Sequence, residues 1–422
     1  RSHGIFRGQS ALLNLNSNDN PKNMVINTRV AQHMANELEA GGRGMYPSSL
    51  MGVIAQVRQT FYDAQWYQRA TDTKLKIDRP QINDSLEALR AVINGRQPVI
   101  YATDNEQAYQ RIAKIRDEFG LKVILQGNGY EYRRTNHLKS SGMPVIVPLL
   151  FPNAPEVDNP DLVLDTSLEG LQHWEQAPSN LAYVEKAGIE FAVTPAGLKD
   201  AKKEFWARLR QAIRRGLSID HALASLTTVP AKLLGEQKRL GSIAAGHMAN
   251  LVVASGDLFG DDKANVEITF VEGKPYATEN YNRFELRGIW NVTSAGKTAV
   301  WNITGTAVKP MLTIDGVNVE LTLKDSQLLA KYTDKTGEHV ILADGRENSL
   351  QGTERDAEGQ TKAWSATRSK VMAADMTPVK PEKMPAALSN TYPAGPFAMA
   401  TPERLSAILI KNATIWTSAK AG

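Results

Sequence analysis

The sequence predicts an α/β fold in which successive β/α units feed a parallel sheet, with an antiparallel β-domain after it. Three observations predict this. Short apolar runs alternate with amphipathic stretches over residues 97–215, a strand-rich and helix-poor stretch with regular turn signals covers 283–368, and a Pro-rich stretch follows at 376–402. At 422 residues the chain exceeds one ordinary core, so two or three folding units are expected.

The parallel strands are placed at 98–102, 122–126, 144–149 and 190–194, each an apolar run that ends near Gly, Pro or Asp as a βα turn requires. Helices are placed at 106–119, 130–140, 181–187 and 199–215. Upstream, residues 1–97 read as helical after a hairpin-like start with strand alternation at 8–15. Met51, Ile54, Val57, Phe61 and Ala64 recur at three- and four-residue spacing, which predicts a helix over 50–67. A further helix is expected at 84–94, ended by Gly95.

A single helix is expected at 218–234, then a buried strand at 249–254 and a strand at 268–274 that form a small sheet. Beyond them, turns at Ser294-Ala295-Gly296-Lys297 and Asp334-Lys335-Thr336-Gly337 predict an antiparallel meander curled into a barrel or sandwich, with Trp290, Trp301 and Trp364 in its core. Pro378, Pro381, Pro385, Pro393 and Pro396 mark an extended linker, and 405–417 reads as a fresh strand pair.

Composition narrows the function classes. Lys+Arg 49 against Asp+Glu 45 leaves a net +4 without basic clusters, which argues against a nucleic-acid partner. No apolar run reaches membrane-spanning length. Without cysteine, any zinc must rest on His and carboxylates. Arg1 stands where an initiator Met would, and no secretory leader pattern follows, so a processed or truncated start is expected.

Two strings carry a resemblance. Ala222-Leu223-Ala224-Ser225-Leu226-Thr227-Thr228-Val229-Pro230-Ala231-Lys232-Leu233-Leu234-Gly235 is similar to the last barrel helix of the amidohydrolase superfamily. Leu240-Gly241-Ser242-Ile243-Ala244-Ala245-Gly246-His247-Met248-Ala249-Asn250-Leu251-Val252-Val253 is similar to that superfamily's return to its composite β-sandwich. The likeness is to imidazolonepropionase-like members. It implies the C-terminal half of a TIM-like (β/α)8 barrel over 1–234, a composite β-sandwich segment over 235–282, the β-domain over 283–370 and a linker over 371–403. Ala407-Ile408-Leu409-Ile410-Lys411-Asn412-Ala413 resembles the superfamily's opening strand, so 404–422 is expected to begin a second amidohydrolase unit of a tandem parent. Large tandem relatives of this type imply export to the periplasm and oligomers.

The resemblance also implies a metal site at the barrel mouth, built from His-x-His on the first strand, His on the fifth and sixth, and Asp on the eighth. Neutral imidazoles and a carboxylate hold a divalent ion with an open position, and the ion makes its water acidic. No His-x-His occurs in the chain. With the four strands taken as the fifth to eighth, Ala102 stands at the fifth-strand position, Gln126 at the sixth and Ala196 at that of the Asp. This barrel is therefore expected to be degenerate, with no catalytic residue and no metal of its own.

Asp104, Asn128 and His173 remain as mouth residues, and a shift of register would bring Asp104 or Asn128 into the site. Asp104 and Glu106, just past a strand, are read as caps of the next helix. Gly127-Asn128-Gly129 reads either as an anion cradle or as a tight turn. His173 beside Trp174 and His137 on a helix are read as packing or surface residues. His33, His221, His247 and His339 show no ligand partner at local spacing. The aromatic stretch 58–67 is read as core, with a ligand cleft or subunit contact as the alternative.

The expected function is that of a degenerate half within a metal-dependent hydrolase of C–N bonds, amide or cyclic amide, with zinc or another divalent ion in the other half. The alternative is a small-molecule-binding or structural module. A third reading keeps one weak metal on His173. The remainder of the parent polypeptide is the expected partner.

Overall fold

The computed structural model describes residues 3–15, 20, 23–38, 46–72, 79–156, 165–278, 286–305, 310–314, 316–324, 326–346, 348–371, 382–388 and 411–412. The expected second unit at 404–422 and most of the linker lie outside the described residues.

A six-stranded sheet runs in sequence order through β1 (Phe6–Leu13), β2 (Val25–Ala35), β3 (Val99–Ala102), β4 (Val123–Gln126), β5 (Val145–Pro148) and β6 (Phe191–Thr194). β1 pairs antiparallel with β2, and every later pairing is parallel. Four parallel strands are where the sequence places them. The fifth, β2, is a correction: its polar and apolar residues lack the continuous apolar run of the others, because its N-terminal half is solvated and only Val30, Ala31, Gln32, Met34 and Ala35 are buried.

Helices cover the convex face of this half-barrel. α1 (Leu50–Ala70) starts at Ser49, whose hydroxyl accepts from Gly52 N–H at 3.3 Å. It buries Val53, Val57, Phe61 and Ala64, a stripe in which the larger side chains each contribute about 2 kcal/mol of apolar burial. Tyr62 and Trp66 on the same helix face solvent, so the aromatic stretch is core only in part. The helix expected at 84–94 is two short ones, α2 (Asp84–Ala88) and α3 (Arg90–Ile93). α4 (Ala108–Phe119), α5 (Thr135–Ser141), α6 (Leu168–Gln176), α7 (Asn180–Lys186) and α8 (Ala201–Arg214) follow. The start of α8 is capped from both sides: Asp200 accepts from Lys203 N–H at 3.2 Å and Glu204 accepts from Asp200 N–H at 3.1 Å.

The single helix expected at 218–234 is broken at Thr227 into α9 (Ile219–Leu226) and α10 (Thr228–Leu233). Pro230 explains the break. It has no N–H for the Leu226 carbonyl and fits only in a first turn.

β7 (Leu251–Ala254), β8 (Val266–Val271) and β9 (Lys274–Ala277) form a small antiparallel sheet. The strand expected to be buried here is not: Val252 and Val253 are 56% and 40% exposed.

Eight antiparallel strands, β10 (Gly288–Ser294), β11 (Lys297–Gly305), β12 (Pro310–Ile314), β13 (Val317–Lys324), β14 (Gln327–Asp334), β15 (Gly337–Arg346), β16 (Ser349–Arg355) and β17 (Thr361–Val371), close into a barrel. Of the two expected forms, barrel and sandwich, the barrel is found. Its interior is filled rather than hollow around Trp290, Trp301 and Trp364, all buried. At one end Glu354 accepts from Ser294 and Tyr332 hydroxyls at 2.5 and 3.1 Å and lies 3.1 Å from His339 Nδ1.

Residues 382–388 of the linker lie against the half-barrel. Met384 N–H donates to the Arg214 carbonyl at 3.1 Å, and Arg215 donates to Pro385 at 3.2 Å while pairing with Glu175.

Candidate functional site

Side chains alternate across the parallel strands. Val99, Tyr101, Val123, Leu125, Val145 and Val147 join the large core under the helices. Ile100 and Ile124 turn to the concave face, where they cluster with Val30 and Ala31 and are covered by Leu12, Leu233 and Leu234. The same alternation puts Ala102 and Gln126 on the concave face, two residues further toward the C-terminal rim. They are ladder neighbours, in a row that runs Ala35, Ala102, Gln126, Ile146, Ala192. Ala196 lies two residues past the end of β6, exposed, its N–H donating to Thr194 Oγ1 at 3.2 Å.

This donor set does not fit a divalent ion. Two methyl groups and one carboxamide offer a single weak oxygen, against the three or four imidazole and carboxylate donors such an ion needs. Among the described residues, no group of three or more His, Asp or Glu is placed to hold one.

The other mouth candidates separate. Asn128, after β4, and His173, on α6, line one cavity of about 610 Å³ with Leu150 and Phe151 after β5 and Lys199 and Arg208 after β6. A cavity at the C-terminal ends of parallel strands is where this fold type carries ligands. Asp104 does not line it. Its main-chain carbonyl accepts from Asn128 Nδ2 at 3.0 Å. The capping role expected of Asp104 and Glu106 is not found: α4 begins at Gln107 without a side-chain cap, and Asn105 makes a turn before it, accepting from Gln107 N–H at 3.0 Å.

The Gly127-Asn128-Gly129 cradle exists and is already filled. Glu131, fully buried, accepts from Asn128 and Gly129 N–H at 2.8 and 3.2 Å and from Asn180 Nδ2 at 2.5 Å. Gly127 is required beside it, since a Cβ there would lie 2.1 Å from Glu131 Oε1. The anion in this cradle is therefore the protein's own.

His173 is the best-defined side chain of the cavity. Its ring stacks on Tyr130 at 3.8 Å and 14°, with the Arg133 guanidinium 4.4 Å from the Tyr130 centroid. Burial first, and the Arg133 charge second, push its pKa down to about 4, so the ring is neutral at pH 7. Arg133 donates to the Tyr132 oxygen, and Tyr132 lies 3.1 Å from His173 Nδ1. Arg133, Tyr132 and His173 thus form one hydrogen-bonded chain, with a single proton shared along the Tyr132–His173 contact.

Beside it, Arg208 pairs with Glu204 at 2.7 Å and donates to the Phe151 carbonyl at 2.6 Å. Lys199 is exposed and has no ion-pair partner among the described residues. Sequence reading missed Lys199, Glu204 and Arg208. The Asp200 to Glu204 spacing signals a helix start just past a strand, which places Lys199 at the rim beside Asn128 and His173, the mouth residues the sequence does offer.

Other histidines have carboxylate neighbours. His221 meets Glu185 at 3.0 Å, and His339 lies between Asp334 at 3.3 Å and Glu354 at 3.1 Å. His137 is exposed on α5, and His33 on β2 has its pKa lowered by burial and then by Arg7.

Residues 184–276 match the model of the Amidohydrolase family. Over these residues the chain is similar to amidohydrolases. The matched stretch spans the end of α7, β6, α8 to α10 and the small sheet, so the Thr227 break and the β6 rim lie within it. Twenty solved chains match in structure. An amidohydrolase from Thermotoga maritima MSB8 is 23% identical, with a TM-score of 0.54 over 65% of this chain and 70% of that one, which shows the shared fold. A prolidase complexed with N-methylphosphonate-L-proline is 17% identical over 55% of this chain and 60% of that one, at TM-score 0.33. The N-acetylglucosamine-6-phosphate deacetylase of Pasteurella multocida is 15% identical over 60% and 77%, at TM-score 0.26. These last two superpose too loosely to carry an argument. No curated protein matches the chain.

Proposed function

We propose that this chain is the non-catalytic part of an amidohydrolase-superfamily hydrolase of C–N bonds, amide or cyclic amide, and that its own mouth holds a small molecule without hydrolysing it. One observation carries the reading: on the concave rim, Ala102 and Gln126 stand side by side where donors for an ion would project. A methyl group can neither ligate an ion nor take a proton from water, so no nucleophile is generated there. The cavity of about 610 Å³ nearby supports the holding of a small molecule.

In this proposal a second amidohydrolase unit of the parent polypeptide holds zinc or another divalent ion, the assembly is periplasmic and oligomeric, and the present half-barrel supports it. Among the described residues no helix is long and apolar enough to cross a membrane.

Metal analysis of the purified chain after dialysis tests the proposal. Less than a tenth of an equivalent of zinc is expected. Stoichiometric zinc that resists dialysis, lost on replacing His173, would sink it in favour of a retained metal site.

A further inference from the structure

α1 has two faces. Val53, Val57, Phe61 and Ala64 fill the core, while Met51, Ala55, Arg58, Tyr62, Trp66 and Arg69 lie along the opposite side, every one exposed. At 3.6 residues per turn these six fall within about 80° of one another, in a stripe about 27 Å long. The outer face of a surface helix is ordinarily polar and charged, yet this one shows Met51, Tyr62 and Trp66 to solvent at 80%, 48% and 53% exposure.

The middle of the stripe is tied down. Glu118 on α4 accepts from the Tyr62 hydroxyl at 2.7 Å and from Arg58 Nε–H at 2.9 Å, and the Tyr62 ring stands edge-on to Phe119 with centroids 4.9 Å apart. Side chains ordered in advance lose less freedom when an interface covers them.

The stripe is also its own complement. Laid antiparallel on a copy of itself about a two-fold axis at Thr60, it sets Trp66 opposite Ala55, Tyr62 opposite Arg58 and Met51 opposite Arg69, because each pair is spaced nearly evenly about that residue. A bulky ring meets a methyl group, and a guanidinium meets an aromatic ring. Each copy also brings Arg58 and Glu118 to the axis as a paired cation and anion, so unlike charges face one another across it.

We propose that α1 is the contact surface for a second copy of this chain, the two helices packing antiparallel with Trp66 of each copy seated on Ala55 of the other. The proposal rests on the reading of this chain as oligomeric and names the surface that makes it so. A single helix pair covers less than the about 800 Å² per partner of a standard interface, so the dimer is a micromolar one. A foreign partner would not require the two halves of the stripe to match each other.

Sedimentation equilibrium of the whole chain up to about 200 µM, with the thermal melt read alongside, tests this. The native chain is expected to dimerise, and Trp66→Ala and Ala55→Trp each to weaken the dimer about tenfold with the melt unchanged. The chain carrying both substitutions is expected to regain the dimer, since the bulky residue and the small one have exchanged places. A dimer that survives both single substitutions, or a double variant no stronger than the singles, would overturn the α1 assignment and leave the oligomeric reading standing. A native chain that stays monomeric over the whole range would overturn both.

Discussion

The Glu131 carboxylate and the Asn180 side-chain amide meet 2.5 Å apart in the interior of the half-barrel, while the Asn180 carbonyl accepts from Tyr132 N–H at 2.7 Å. One buried pair therefore ties the loop after β4 to the start of α7. It also holds Tyr132, and through it His173, in place.

Removing that carboxylate leaves two backbone N–H groups and one amide without an acceptor. Glu131→Ala is expected to cost about 3 kcal/mol in urea unfolding, and Glu131→Gln about 1–2 kcal/mol because one acceptor oxygen survives. A midpoint unchanged in both variants would show that the cradle does not hold the fold.

Gly127 and Glu131 are expected to couple. Gly127→Ala places a methyl group 2.1 Å from Glu131 Oε1 and should cost about 2 kcal/mol alone, but less than about 1 kcal/mol in the Glu131→Ala background. A double-mutant cycle of unfolding free energies reads this directly, and strict additivity would contradict it.

Stability should depend on pH through His173. Its folded pKa, about 4, lies below the ordinary imidazole value of 6.5, so between these values the unfolded chain binds more protons. The contribution is complete above pH 6.5 and is lost as pH falls toward 4. Unfolding free energies from pH 4 to 7.5 should thus fall less steeply on the acid side in His173→Phe than in the native chain; superimposable slopes would refute the assignment.

In the closed barrel, Gly352 on β16 is packed against the neighbouring strand. A Cβ there would lie 1.9 Å from the Leu342 carbonyl and 2.5 Å from Ala343 Cα, both backbone atoms that cannot step aside. Gly352→Ala should cost about 3 kcal/mol and weaken the near-ultraviolet circular dichroism of buried Trp290, Trp301 and Trp364. An unperturbed spectrum and melt would show that the strands separate freely.

Much of the architecture is legible from apolar periodicity, because β3 to β6 are buried on both faces and read as plain hydrophobic runs. β2 escapes the same reading since half of it is solvated, and the small sheet escapes it in the opposite sense, its Val252 and Val253 being apolar yet exposed. The Thr227 break was open to a local argument from Pro230, but the helical amphipathicity of the surrounding residues conceals it. For the mouth, the positions of Ala102, Gln126 and Asn128 follow from strand ends. The neighbours of His173 do not, because they depend on elements 40 or more residues apart being folded together. The filling of the glycine cradle by Glu131 is local in sequence, but its burial against Asn180 is not.

Closure of the eight-stranded barrel has a consequence for how this chain meets others. Each of its strands has a hydrogen-bonded neighbour on both sides, so it presents no terminal strand of the kind that recruits another along its whole length. The seam is thinnest where β11 meets β12, paired only at Thr304 with Met311 and Gly305 with Pro310. Among the described residues, outermost strands occur only in the other two sheets, at β1 and β6 and at β7 and β9, so whole-strand addition is favoured at those margins over the barrel.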